Sequence, residues 1–355
     1  MFSRLTGNDR VKQSLRRMLS QSRVPGALLF VGKDGVGKKL FALELAKSLN
    51  CRTRVDEVEA CDVCSSCKRI SQSKFPWHAT DDENKERMIW SDHTDVGLVR
   101  PYKRVIRVDP MRQLDREANF RPYEGNARVF IVEDAERMND ASSNALLKTL
   151  EEPPSTSHLI LITARPASLL PTIRSRCQTI RFVPLTSSEI EQYLVARDKT
   201  ISDRDAHLLA ASSGGSIGNA LSTDLPAYLE QRDSMLEVLN ALVDIGGRAR
   251  LLKAAEQLCD AKRKDEYEPR LSVLETLLHD VWTLMLGASG ETLANNDIRE
   301  VLERIGSRFE PRSVAVWLSQ IESHRRKLDV NINRKVATDA LFLMMAEGPN
   351  LEHAN

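Results

Sequence analysis

Aromatic residues are scarce: Phe, Tyr and Trp make up 5% of the 355 residues. A core so poor in rings must be built from aliphatic side chains, as in helix-rich proteins. Net charge is almost as small, since 51 Lys and Arg against 50 Asp and Glu leave +1. No global field therefore draws the chain to DNA or to a membrane, and any nucleic-acid contact must be local or shared with partners. No run approaches the roughly 20 apolar residues that a membrane helix needs. The opening MFSRLTGNDRVKQ has no apolar h-region, so the expectation is an intracellular, cytoplasmic protein. Internal repeats and low-complexity tracts are missing too. What remains, 41% hydrophobic and 28% charged, is ordinary globular material. Its length suggests two or three domains.

Short β-branched runs alternate with helical patterns from Met1 to about Phe182, the texture of a parallel sheet covered by helices. The runs are Ala27–Val31, Val105–Val108, Val129–Val132, Leu159–Thr163 and Gln178–Phe182. Asn139–Asp140 can cap a helix with Ala141, Ala145, Leu146 and Leu150 on its apolar face, and Pro153-Pro154 stops it. Between Trp77 and Arg104 the chain is charged and aperiodic, which reads as a surface loop or irregular insertion. After Pro184, Thr186 and Glu189 form a capping box, Ser202 can cap a second helix, and Gly214-Gly215 precedes a third near Ile217–Leu221. From Pro226 onward the pattern is helical. Leu271, Leu274, Leu278, Val281 and Met285 share one face, with glycines 287 and 290 ending that helix. Ala261–Glu268 reads as an inter-helix loop.

The stretch GKDGVGKKL, Gly32–Leu40, matches G-x-x-x-x-G-K-[ST] at Gly32, Gly37 and Lys38, with Gly35 inside the loop. Such a loop lets backbone amides converge on phosphate oxygens at a helix N-terminus, and Lys38 would pair the β- and γ-phosphates. The bland alternative is a glycine-rich turn with a surface lysine. A strand before and a helix after favour the phosphate loop. Lys39 stands where a hydroxyl should ligate Mg²⁺, and an ammonium cannot ligate a cation. VFIVEDAERM then supplies Glu133 and Asp134, both carboxylates but in exchanged order. One methylene at each position misplaces both groups by about an ångström, a cost of about 10²-fold where geometry carries the rate. The chain's own ATPase is therefore expected to be absent or weak, with ATP or ADP binding left open. Nor is an acidic cluster suited to two-metal nucleotidyl transfer visible.

Cys61-x-x-Cys64-x-x-Cys67, with Cys51 ahead of it, offers four thiolates from one short segment. Without a secretory signal, disulfides are not expected. A closed tetrahedral Zn²⁺ site of structural type is, against a redox pair or an iron–sulfur cluster. Cys177 and Cys259 stand apart as small, semi-buried residues. Thr163 ends an apolar strand, where a hydroxyl can touch a γ-phosphate or merely cap the strand. Arg176, taken alone, reads as a solvated arginine or a helix-end partner. RPYKRVIR, Arg100–Arg107, is a small basic run that reads first as a solvated face and second as a DNA contact.

GKDGVGKK, the four cysteines, NALLKTLEEPP at Asn144–Pro154 and SRC at Ser175–Cys177 together resemble the bacterial replicative clamp-loader family, an AAA+ assembly. The eleven-residue NALLKTLEEPP is the most specific of these. Gly218, in GGSIGNAL, stands where the family's gamma/tau motor proteins carry a sensor arginine. The resemblance implies an α/β P-loop (AAA+) parallel-sheet domain over 1–184 with an inserted zinc module at about 50–70. A small helical lid over 185–225 and an all-α collar domain over 226–355 would follow. It further implies a hetero-pentameric ring with gamma/tau- and delta-type subunits that closes a sliding clamp around primed DNA, with no membrane. Arg176 would act as an arginine finger in trans, completing a neighbour's ATP site, while this chain serves as a stator. The resemblance likewise groups Gly32, Gly35, Gly37, Lys38, Lys39, Glu133, Asp134 and Thr163 as the nucleotide pocket. The rivals are an ATP-hydrolysing motor subunit, a scaffold in which Arg176 is structural, and an independent DNA-binding module.

Overall fold

The computed structural model describes residues 1–72, 87–244, 246–287, 293–328 and 333–347. They fall into two compact units: Met1–Tyr193 with Gly215–Gly218, and the described residues of Leu194–Gly214 with those from Asn219 onward. The first unit carries a six-stranded sheet of β1 (Ala27–Val31), β2 (Ile89–Trp90), β3 (Val96–Val99), β4 (Arg128–Val132), β5 (Ser157–Thr163) and β6 (Gln178–Arg181). Their spatial order is β2-β3-β4-β5-β1-β6. All pairings are parallel except β2 with β3 at the edge, so the expected parallel sheet gains one short antiparallel border strand. The central strands are buried along their length, which is why they read as continuous apolar runs.

One face packs against α4 (Val108–Ala118), α5 (Asp140–Glu151) and α6 (Pro171–Arg176), through Met111, Leu114, Leu146, Leu150 and Ile173. The other meets α2 (Lys38–Asn50), where the rings of Phe41 and Phe30 lie 5.1 and 5.2 Å from that of Phe182. α1 (Asp9–Ser20) and α3 (Ser65–Gln72) complete the unit. Asn139 caps α5 by accepting the Ser142 amide at 2.8 Å. The helix ends at Glu151, ahead of the two prolines. Of its expected apolar face, Leu146 and Leu150 are buried, Ala145 is half-buried, and Ala141 is exposed.

Two expectations fail here. Val105–Val108 is no strand: Ile106 makes a single bridge to Met138, and Val108 opens α4. The strand is Val96–Val99, inside the stretch read as an irregular insertion. Part of that stretch, 77–86, lies outside the described residues. Gly97 hid the strand from a β-branched pattern, and packing explains the glycine. An added Cβ would come within 2.8 Å of Met88 Sδ and 3.3 Å of the Phe130 ring.

The Thr186/Glu189 box forms as read, with Glu189 accepting the Thr186 amide and hydroxyl, both at 2.8 Å. It opens α7 (Ser187–Arg197). Ser202 caps α8 (Asp203–Ser212) through the Asp205 amide, and α9 (Ile217–Ser222) follows. In the second unit come α10 (Leu225–Val243), α11 (Arg248–Leu258), α12 (Tyr267–Met285), α13 (Arg299–Gly306), α14 (Pro311–Leu328) and α15 (Arg334–Glu347). Leu271, Leu274, Leu278 and Val281 are buried on one face of α12, as their spacing requires. Gly287, at φ +76°, closes that helix, and Gly290 lies outside the described residues. Ala261–Glu266 is a 3₁₀ turn leading into α12 rather than an open loop. α8 is tied to the helical bundle by Arg204 to Asp297 at 2.8 Å and by His207 to the Leu293 carbonyl at 2.9 Å. Among the described residues, no helix is long and apolar enough to cross a membrane.

Candidate functional site: a phosphate loop, a thiol cluster and an exposed arginine

The glycine loop runs from the end of β1 into α2. Register places Val31 opposite Thr163 on β5, and Val132 at the end of β4 opposite Leu161. Lys38, Glu133, Asp134 and Thr163 therefore share the carboxyl edge of the parallel strands, where open α/β sheets bind ligands. Gly32 must be glycine because a Cβ there would meet the Phe182 backbone at 2.8 Å. Gly37, at φ +95°, adopts the left-handed turn that starts α2.

Several side chains around this loop find partners within the chain. Lys38 is 5% exposed and donates to the carbonyls of Gly32 and Lys33, the latter at 2.8 Å, with Asp34 at 3.6 Å. Burial lowers its pKa. The Lys39 ammonium lies 2.9 Å from Glu133, whose other oxygen faces Arg100 at 3.5 Å. Asp134 has φ +47°, and burial raises its carboxyl. Thr163 is 1% exposed, and its hydroxyl accepts the Arg165 amide at 3.0 Å. Gly218 donates its amide to the Gly35 carbonyl at 3.0 Å. A Cβ on Gly218 would stand 2.9 Å from the Gly35 Cα, and one on Gly35 would stand 2.0 Å from Ser216 Oγ. No side chain fits at 218 with the loop in this conformation.

The four cysteines converge. Cys51 caps the C-terminus of α2, Cys61 and Cys64 lie in the following loop, and Cys67 is in α3. Their sulfurs all lie within 4.8 Å of one another, and none is in a disulfide. A tetrahedral centre with Zn–S bonds of about 2.3 Å needs sulfurs roughly 3.8 Å apart, so the set fits a metal with small adjustment. The Cys61 amide donates to Cys51 Sγ and the Cys64 amide to Cys61 Sγ, each at 3.3 Å. Such bonds stabilise thiolate charge. The Thr53 hydroxyl, with the Cys64 and Val63 amides, brings the Cys61 thiol down to about 6, whereas burial pushes Cys67 up.

Arg176 closes α6. Its Nη1 donates to the Thr172 carbonyl at 2.9 Å and its Nη2 to Glu151 at 2.5 Å, with the side chain 32% exposed. It is followed directly by buried Cys177.

Several organising residues escape pattern reading. Asp95, fully buried, accepts the amides of Tyr123, Glu124 and Gly125 at 2.8–2.9 Å. Asn50 accepts those of Asn126 and Ala127. Arg128, also fully buried, pairs with Glu117 at 3.0 Å between the rings of Trp90 and Tyr123. Together they pin the loop RPYEGNA. Its density of Gly, Pro and Asn was the available signal. In the basic run, Arg100 faces Glu133 and Lys103 lies over Tyr102.

The family model described as DNA polymerase III, delta subunit, matches residues 7–186. A second model, described as the C terminal of the same delta subunit, matches residues 226–344. A Bacillus subtilis DNA polymerase III subunit delta' is 28% identical over 96% of both chains. Its Escherichia coli counterpart is 29% identical over 89% of this chain and 87% of that one. An Escherichia coli subunit tau is 27% identical over 96% of this chain, which spans about half of the tau length. With half of its length matched by the first model alone, the chain belongs to the DNA polymerase III delta-subunit family.

Proposed function

We infer that the chain is a delta-prime-type subunit of a replicative clamp loader, and that within it the chain works as a stator. It is a cytoplasmic protein on this reading. It joins gamma/tau- and delta-type subunits in a hetero-pentameric ring that acts on a sliding clamp and primed DNA. Relatives named delta' cover nearly the whole chain, which supports this assignment. The observation that carries the stator role is the ion pair between Lys39 and Glu133 at 2.9 Å. The residue that should ligate Mg²⁺ through a hydroxyl instead neutralises the carboxylate that should hold the ion's water shell. Lys38, turned onto loop carbonyls, and Gly218, packed on Gly35, support the same reading.

In this role Gly32, Gly35, Gly37, Lys38, Lys39, Glu133, Asp134 and Thr163 are the remnant of a nucleotide pocket. Arg176 is the catalytic group, acting in trans by reaching the γ-phosphate in a neighbour's site. A guanidinium supplied in this way stabilises transition-state charge and is worth about 10³–10⁵ in rate. Domain limits of 1–184, 185–225 and 226–355 accompany the proposal, and the two family-model spans, 7–186 and 226–344, support them.

Cys51, Cys61, Cys64 and Cys67 would hold a structural Zn²⁺. A closed four-thiolate set leaves no position for substrate, so the ion supplies scaffolding rather than catalysis.

The test is ATP turnover by the reconstituted ring, stimulated by clamp and primed DNA, with this chain as parent, Lys38→Ala or Arg176→Ala. Turnover should fall with Arg176→Ala and stay at the parent level with Lys38→Ala. The reverse pattern would make this chain a motor subunit.

A further inference from the structure

Arg176 does not stand free at the end of its helix. Its Nη1 donates to the Thr172 carbonyl at 2.9 Å, and its Nη2 donates to Glu151 at 2.5 Å. Two fixed acceptors on different elements therefore define the plane of the guanidinium, while a third of the side chain stays open to solvent. Cys177, 8% exposed, is sunk in the core immediately after it and holds the Cα in place.

The placement of Glu151 is itself unusual. It is the last residue of α5, and its neighbour Glu152 is the C-cap. Carboxylates at that end face the negative pole of the helix and the unsatisfied carbonyls, where cations are favoured. A glutamate there works against helix stability unless a cation offsets it. Lys148 is the basic residue of that last turn, and the cation paired with Glu151 itself is Arg176, 25 residues further along the chain. An exposed pair of this kind contributes little to folding, so its consequence lies in geometry.

We propose that Glu151 is a positioning residue for Arg176, setting the direction in which the guanidinium is presented to a neighbouring subunit. The proposal rests on the trans role of Arg176 inferred under the proposed function. Glu151 touches no phosphate. It restricts the arginine to an orientation in which the outward edge of the guanidinium is available, so less rotational freedom is lost when the neighbour's phosphate is met. Glutamine keeps an acceptor oxygen but loses the charge. Aspartate keeps the charge on a stem one methylene shorter.

The experiment uses the reconstituted ring with the parent chain, Arg176→Ala, Glu151→Gln or Glu151→Asp, each checked for an unchanged melting temperature. ATP turnover is resolved into kcat and KM in the presence of clamp and primed DNA. Glu151→Gln should lower kcat by about threefold with KM unchanged, since ground-state binding at the neighbour's site is untouched. Glu151→Asp should not recover that loss, because its carboxylate falls about an ångström short of the guanidinium, whereas a kcat matching the parent would count against positioning. If Arg176→Ala lowers kcat and Glu151→Gln matches the parent, the positioning role is wrong and the finger stands. If Arg176→Ala leaves kcat unchanged, the finger itself is wrong, and the role of Glu151 falls with it.

Discussion

Individual side chains decide what the glycine loop can do. Lys39 and Glu133 were both visible as departures from a pattern, but that each answers the other required the fold, because they lie on different elements. The pairing of Glu151 with Arg176 likewise came only from the fold. Spacing made the four cysteines and the loop glycines legible, since their chemistry depends on near neighbours in the chain. Asp95, Asn50 and Arg128 depend on partners far along the chain, and a buried charge leaves no local signature. Glu124 shows such a long-range pairing with a pH consequence. Burial alone would raise its carboxyl, but the Arg69 guanidinium and the Thr94 amide and hydroxyl hold it down to about 2, against 4.5 in the open chain. A depressed folded-state pKa stabilises fully above the open-chain value and is lost as pH falls through the folded one. Glu124→Gln should therefore lower stability at neutral pH and flatten the acid limb between pH 4.5 and about 2. Urea midpoints measured at neutral pH and at steps down through that window would check this, and a midpoint difference that grows toward low pH would refute it.

At the level of elements, sequence signals worked wherever a cap or a stop was local. Asn139, Thr186 with Glu189, Ser202 and Pro153-Pro154 each mark the boundary they were read to mark. They failed between Arg87 and Ala118. Val105–Val108 has the right residue types for a strand, but Pro110 in the first turn and the buried steps Met111, Leu114 and Ala118 belong to α4. The strand displaced by that misreading, β3, carries a glycine packed against Met88, which breaks the β-branched pattern. The thiol cluster is itself an element-scale device, joining the end of α2 to α3. Its four sulfurs come from a segment with little core of its own beyond Ala60 and the cysteines, so the metal should carry the fold of that segment. Elemental analysis should give one zinc per chain. Release of the metal by a mercurial should abolish amide protection across 51–72 while the β4 and β5 amides stay protected, in keeping with the roughly 10–16 kcal/mol of apparent zinc affinity in small modules. Metal-free protein with the same protection in 51–72 would show that thiol packing suffices.

Across the whole molecule, the distinction between a sheet-bearing region and a helical one was plain from texture, since period-2 and buried runs give way to helical spacing after Pro184. The composition of the compact units was less legible, because it depends on which helix packs on which bundle. The chain passes between the units three times, after Tyr193, Gly214 and Gly218. Covalent order and packing order are thus interleaved like the teeth of a comb. A single nick between Thr223 and Asp224 would leave α8 on the N-terminal fragment, with Arg204 and His207 bonded to groups on the C-terminal fragment. The two pieces should elute together from a sizing column in native buffer and part only in denaturant. Two independent peaks would show that α8 contributes little to their cohesion. For anyone building hybrids between related chains, one crossover at any position splits at least one unit between the two parents. Clean exchange of the helical unit needs three junctions.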